Sequence, residues 1–185
     1  MESNKNLMMN KAMFWGLITA LALMILNTIY YSTDNMFSES LGYLSFVTYI
    51  AGIVLATLSY RKSIDQNTPF PYSKALGLGV ATMFFSSIIM ALFIFILYKF
   101  IDVGLIDKMI TFYEDSLLKS GMKEDMVDQQ MMLVKKFLTP ALMSLSQVFS
   151  LVIYGFIISL ITSIFLRKKP ENGFDAAMSE IDNEE

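Results

Sequence analysis

The side chains that most often perform catalysis or bind metal ions are rare in this 185-residue chain. Histidine and cysteine are absent, so metal sites built from imidazole or thiolate ligands are excluded, as are disulfides. Carboxylates such as Asp107, Glu114 and Asp125 occur with lysines at helical spacing, which is typical of solvated helix faces. Glycine-rich phosphate-binding motifs and the Gly-x-Ser-x-Gly nucleophile motif are also missing. We therefore expect no catalytic residues, no metal and no cofactor, which argues against an enzyme.

Four long stretches of the chain contain no Asp, Glu, Lys or Arg, so no charged side chain is available there for chemistry. A helix rises about 1.5 Å per residue, so about 20 residues cross a hydrocarbon core roughly 30 Å thick. Unbroken apolar runs predict helices, because the strands of a membrane barrel would alternate apolar and polar residues. The predicted fold class is all-α, a polytopic membrane protein; a soluble all-α domain would need only one apolar face on each helix. The charge-free stretches are residues 12–33, 40–60, 75–98 and 137–166.

Local signals define the ends of these stretches. Thr139-Pro140 divides the last one, because threonine suits an N-cap and proline suits the first helical position. After Lys169 the chain carries acids and no basic residue, which predicts a disordered tail. We expect a single membrane domain over residues 1–169, a tail over residues 170–185, and four spans at about residues 12–31, 41–60, 75–98 and 140–165.

The long segment between the third and fourth spans, residues 102–138, reads as two amphipathic helices that are separated at Gly121. A glycine at that point supplies the left-handed conformation with which many helices end. The apolar faces of this outer hairpin could pack on each other or on the outer leaflet, or they could bind a protein partner. The candidate face consists of Leu105, Met109, Phe112, Tyr113, Leu117, Met122, Met126, Leu133 and Phe137.

Basic residues predict how the chain is oriented in the membrane. They are dense in the N-terminal tail, in the second connection and after the fourth span, whereas the connection from Ser32 to Glu39 has none. The positive-inside rule therefore places both termini in the cytoplasm and the hairpin outside. The net charge of -3 gives no indication of a nucleic-acid partner. The residues assigned to the inside are Lys5, Lys11, Arg61, Lys62, Lys74, Arg167, Lys168 and Lys169.

Polar and small residues within the spans indicate helix packing. No ionisable Asp, Glu, Lys, Arg or His lies in the spans, which argues against a proton relay or an ion-coupled transporter. Asn27 and Gln147 are the residues most costly to expose to lipid; we expect them in the outer half, hydrogen-bonding between helices, with a substrate site as the less favoured alternative. Small residues four apart predict close helix contacts, within one bundle or between copies. These are Gly16 with Ala20, Gly52 with Ala56, Gly77 with Ala81, and Gly155, an expected architectural position, with Ser159.

Six short blocks follow one another in the second part of the chain. They run from Pro71 to Gly79, Tyr98 to Asp102, Lys119 to Asp125, Lys136 to Pro140, Gly155 to Ile161 and Phe165 to Lys169. In their order and spacing they resemble domain-of-unknown-function family 4199, with a match that covers nearly the whole chain to Lys169. The resemblance implies a four-span protein of the bacterial inner membrane in Gram-negative species, with Gly121 and Pro140 as architectural positions. It implies no activity and no binding residues.

The scarcity of catalytic and metal-binding side chains favours a non-catalytic membrane subunit or adaptor that acts through the outer hairpin. Its expected partners are the lipid bilayer and either another protein or further copies of the chain. The alternative is a small uncoupled permease, channel or lipid-handling protein, which needs no charge in the membrane. An enzyme or accessory of lipid-linked sugar chemistry has no support from individual residues.

Overall fold

The computed structural model describes residues 2–36, 38–64, 68 and 70–167. Within these residues the protein is all-helical, as the sequence predicts, and a short π-helical turn follows the third helix. The predicted tail over residues 170–185 lies outside the described residues. The helices are α1 (Glu2–Ser32), α2 (Glu39–Lys62), α3 (Tyr72–Ile96), α4 (Leu105–Lys119), α5 (Glu124–Phe137) and α6 (Pro140–Leu166), and the π-helical turn covers Leu97–Ile101.

Four of these helices, α1, α2, α3 and α6, are long and apolar enough to cross a membrane. Large apolar side chains are exposed on their outer surfaces, including Phe14, Val47, Leu92 and Phe149. A soluble bundle would carry polar residues on those surfaces, because water is its solvent. Apolar outer faces on all four helices fit a lipid environment.

The helices extend beyond the predicted spans, which followed the apolar residues alone. The first helix begins at Glu2, ten residues before the predicted start of the span at residue 12, and the third begins at Tyr72. The π-helical turn carries the third helix on to Ile101, so its candidate span covers 30 residues. A helix continues past its apolar segment because its backbone hydrogen bonds do not require apolar side chains.

The helix α3 lies at the centre of the bundle and contacts α6, α1 and α2. It runs antiparallel to α6: the Tyr72 hydroxyl donates a hydrogen bond to the Leu160 carbonyl (3.2 Å) near one end. At the middle of the same pair, Met83 packs against Gly155. Residue numbers therefore increase along α3 while the numbers of the facing residues in α6 decrease, as in any antiparallel pair.

Glycines mark the closest helix contacts. A Cβ added to Gly155 would collide with the Met83 side chain, and one added to Gly16 would lie 2.8 Å from the Thr82 carbonyl oxygen. Close approach of this kind is how helices in lipid gain packing energy. The prediction is wrong for Gly77, which faces open space, whereas Gly79 lies against Ser159 of α6.

Candidate functional site

The helices α4 and α5 are joined by a tight turn at Gly121. Its φ of +84° lies in the left-handed region, where an L-residue with a Cβ is strained. The Gly121 N–H donates to the Leu118 carbonyl (3.0 Å) and the Met122 N–H donates to the Leu117 carbonyl (3.4 Å). These bonds close the end of α4 and turn the chain back toward α5.

The apolar residues of α5 are divided between two faces. Val127 and Met131 are 2% and 3% exposed, so they form the inner face of the hairpin. Met126, Leu133 and Phe137 are 57%, 58% and 67% exposed, and their spacing of seven and four residues keeps them in one stripe. The candidate face predicted from sequence includes this exposed stripe, and it missed the buried pair. The spacing of four between Val127 and Met131 was the available signal.

The candidate residues of α4 are also divided. Leu105 is buried in a cluster with Ile94, Leu97 and Tyr98, and Met109 packs against that cluster. These two residues therefore attach α4 to the end of α3 and are not free for a partner. Of the remaining candidates, Phe112 and Tyr113 are exposed, while Leu117 of α4 and Met122 of the turn are half-buried.

Polar contacts hold the start of α4 against the loop between α1 and α2. Lys108 Nζ lies 3.8 Å from Asp102 Oδ2 and 3.9 Å from Asp34 Oδ1. Asp102 also accepts a hydrogen bond of 3.3 Å from the Tyr31 hydroxyl. Exposed ion pairs contribute little individually, but here two of them and a hydrogen bond converge on one point. We call Tyr31, Asp34, Asp102 and Lys108 the tether.

A cleft of about 790 Å³ with both polar and aromatic lining residues lies between α1, α2 and α6, toward the end where the α1–α2 loop is found. A smaller cavity of about 210 Å³ adjoins it and shares Asn27, Leu41 and Gln147 with it. Met109 lines the smaller cavity, so the cavity reaches α4. The cleft is lined by Asn27, Leu41, Gly42, Tyr43, Ser45, Phe46, Tyr49, Gln147 and Tyr154.

Two side-chain amides and two tyrosines define the chemistry of the cleft. The Asn27 amide donates to the Leu23 carbonyl of its own helix (2.8 Å), so the predicted hydrogen bond between helices is wrong for this residue. Gln147 is half-buried, and no hydrogen bond joins its side-chain amide to another described residue. Tyr49 and Tyr154 stack with their ring centroids 6.1 Å apart. The sequence singled out both amides, and the structure shows that they share one cavity.

Among the side chains that the structure describes, no Asp, Glu, Lys or Arg lines the cleft. Among the described residues, no group of three His, Cys, Asp or Glu side chains is placed to hold a metal ion. The cleft can offer amide and hydroxyl hydrogen bonds and aromatic surfaces. An uncharged polar group bound there would find donors and acceptors at no cost of burying a charge.

Fold and surface together define an all-helical protein with four candidate membrane-spanning helices. A family model described as "Protein of unknown function (DUF4199)" matches residues 14–168. The chain therefore belongs to this family, which confirms the resemblance seen in the sequence. No curated protein and no solved structure matches it significantly.

Proposed function

We propose that the protein is a non-catalytic subunit of the bacterial inner membrane that binds a second protein through the exposed stripe of α5. In this proposal both termini are cytoplasmic and the α4–α5 hairpin lies outside. The observation that carries it is the exposure of Met126, Leu133 and Phe137 on one face, while the adjacent Val127 is buried.

The hairpin is built as a supported platform for such a contact. Leu105 is buried against the end of α3, and Lys108 connects α4 to Asp34 and Asp102. A surface that is held in place before binding loses less conformational entropy when a partner docks. Methionine and aromatic side chains, which the stripe provides, are common at the centres of protein interfaces.

The charge of the hairpin favours a protein over a lipid surface. Helices that lie on anionic membranes are rich in lysine and arginine on their polar faces. In α4 and α5 acidic residues accompany the lysines, including Asp107, Glu114, Glu124 and Asp128. Electrostatic attraction to anionic headgroups would therefore be weak, whereas a protein can complement charges of both signs.

Site-specific photo-crosslinking in intact cells tests this proposal. A photoreactive phenylalanine analogue at Leu133 is expected to give one discrete protein adduct. Phe137→Asp should reduce that adduct roughly tenfold or more, because a charge at the centre of an apolar interface is poorly tolerated. Met132→Asp is the matched control, since it adds the same charge to a side chain that is 65% exposed and lies about 120° around α5 from the stripe.

The adduct must also withstand two checks. It should survive Met132→Asp, and its protein component should crosslink back to α5 when it carries the photoreactive group. Adducts to lipid alone would show an interfacial helix, and an adduct of two copies of this chain would show self-association. Either result would overturn the proposed binding of a second protein.

A further inference from the structure

We infer that the cleft between α1, α2 and α6 binds the uncharged, carbonyl-bearing head of a membrane lipid. This site is separate from the exposed stripe of α5 and does not depend on it. Its volume of about 790 Å³ falls within the range of roughly 300–1,000 Å³ that small-molecule sites occupy.

The position of the cleft selects a ligand that comes from the bilayer. Its lining residues Tyr43, Phe46 and Tyr154 are exposed on the outer surface of the bundle, at the opening between α2 and α6. In a bilayer that surface contacts acyl chains. A lipid could insert its head among the polar residues while its tail stays in the surrounding lipid. The occupant is therefore an amphiphile.

The chemistry of the cleft selects an uncharged head. A charged head would find no counter-ion among the described side chains, because none of those that line the cleft is Asp, Glu, Lys or Arg. The Gln147 side-chain amide has no hydrogen bond to another described residue, and it can donate to a carbonyl. Asn27 uses one amide N–H on Leu23, which leaves its other N–H and its oxygen for a ligand.

Along the helix axes the cleft ends at the stacked tyrosines, which lie near the middles of α2 and α6. Tyr49 is the cleft residue furthest along α2, and Tyr154 is the one furthest along α6. Beyond them the helices are in close contact, since Ile53 of α2 and Ser159 of α6 both lie against Gly79. A head that enters therefore stops at the aromatic pair, in the same cleft as the two amides. Diacylglycerols and quinones both present carbonyl oxygens on an uncharged head with an apolar tail.

Native mass spectrometry of the purified full chain in detergent tests the inference. The probes are dioctanoylglycerol, decylubiquinone and dioctanoylphosphatidylglycerol, which has a charged head. We expect one of the two uncharged probes to be retained and the charged probe to be retained far less. Which uncharged probe binds identifies the source of the ligand.

Two variants probe the site itself. Gly42→Leu should abolish retention by filling the cleft, because a Cβ at Gly42 meets open space and the substitution leaves the helices in place. Gly77→Leu is the matched control, since Gly77 faces open space outside the cleft. Gln147→Leu should weaken retention roughly tenfold through a lost hydrogen bond. Each variant is accepted only if its thermal unfolding midpoint matches that of the wild type.

Three results would overturn the inference. The first is that neither uncharged probe is retained. The second is that the charged probe is retained as well as the uncharged ones. The third is that Gly42→Leu and Gly77→Leu have the same effect on retention. None of these results bears on crosslinking at Leu133. The proposal of a lipid site in the cleft and the proposal of a protein-binding stripe on α5 are therefore tested independently.

Discussion

The Tyr31 hydroxyl donates a hydrogen bond of 3.3 Å to Asp102, 71 positions later in the chain. This bond joins the end of α1 to the short connection between the π-helical turn and α4. Lys108 lies within 4 Å of the same carboxylate and of Asp34. The hairpin is thus connected to the bundle by more than the covalent chain. Its orientation relative to the membrane helices depends on this polar contact and on Leu105.

Removing the charge of Asp102 should loosen the hairpin without unfolding the bundle. Asp102→Asn weakens the attraction to Lys108, so α4 amides should exchange with solvent about two to ten times faster, while amides of α3 keep their protection. Hydrogen–deuterium exchange measured by mass spectrometry gives both values. The control is Asp107→Asn, an exposed acid in the first turn of α4. Equal effects of the two variants would contradict the tether.

Glycine-to-leucine substitutions should separate a packed position from an open one. Gly155→Leu collides with buried Met83 and should lower the free energy of unfolding by about 1–3 kcal/mol. Gly77→Leu should leave it nearly unchanged, since nothing lies within 4 Å of an added Cβ there. Unfolding in mixed micelles of increasing denaturing detergent measures both. A larger loss at Gly77 would contradict the observed α3–α6 contact.

An added carboxylate should destabilise the hairpin at Val127 of α5 but not at the adjacent Met126. Val127→Asp buries an unpaired carboxylate inside the hairpin, which should separate α5 from α4 and expose the Gly121 turn to protease. Met126→Asp places the carboxylate in solvent and should leave the cleavage rate unchanged. Limited proteolysis of the two variants in detergent compares them. Faster cleavage of Met126→Asp would show that α5 is rotated about its axis.

The absence of cysteine allows the orientation to be measured without a background of native thiols. Ser116→Cys, on an exposed part of α4, should react with a membrane-impermeant maleimide once the outer membrane has been made permeable. Ser63→Cys, exposed at the end of α2, should react only after the inner membrane is also disrupted. The reverse pattern would place the hairpin in the cytoplasm and contradict the positive-inside assignment.

Features that depend on local chemistry could be predicted from the sequence. The apolar helices follow from length and composition. Helix α6 starts at Pro140, with the Thr139 hydroxyl accepting from the Leu142 N–H (3.4 Å), because capping involves only neighbouring residues. Gly121 has the positive φ that the helix break required.

Features that depend on which faces meet could not be predicted. Periodicity placed Met126 in the apolar face of the hairpin, but Val127, one residue later, is the buried one. Likewise Gly77 and Gly79 are equally small, and only Gly79 packs against another helix. A rotation of about 100° per residue separates the two outcomes in α5, and composition cannot resolve it.

The sequence by itself determined that this chain forms four apolar helices and an amphipathic pair, because helix formation in an apolar segment is a local property. Only the tertiary structure decided that Asn27 and Gln147 share a cleft with the stacked tyrosines. In helices that are apolar on every side, hydrophobicity does not distinguish the packed face from the lipid face. Shape complementarity between helices makes that choice, and it exists only after the helices have come together.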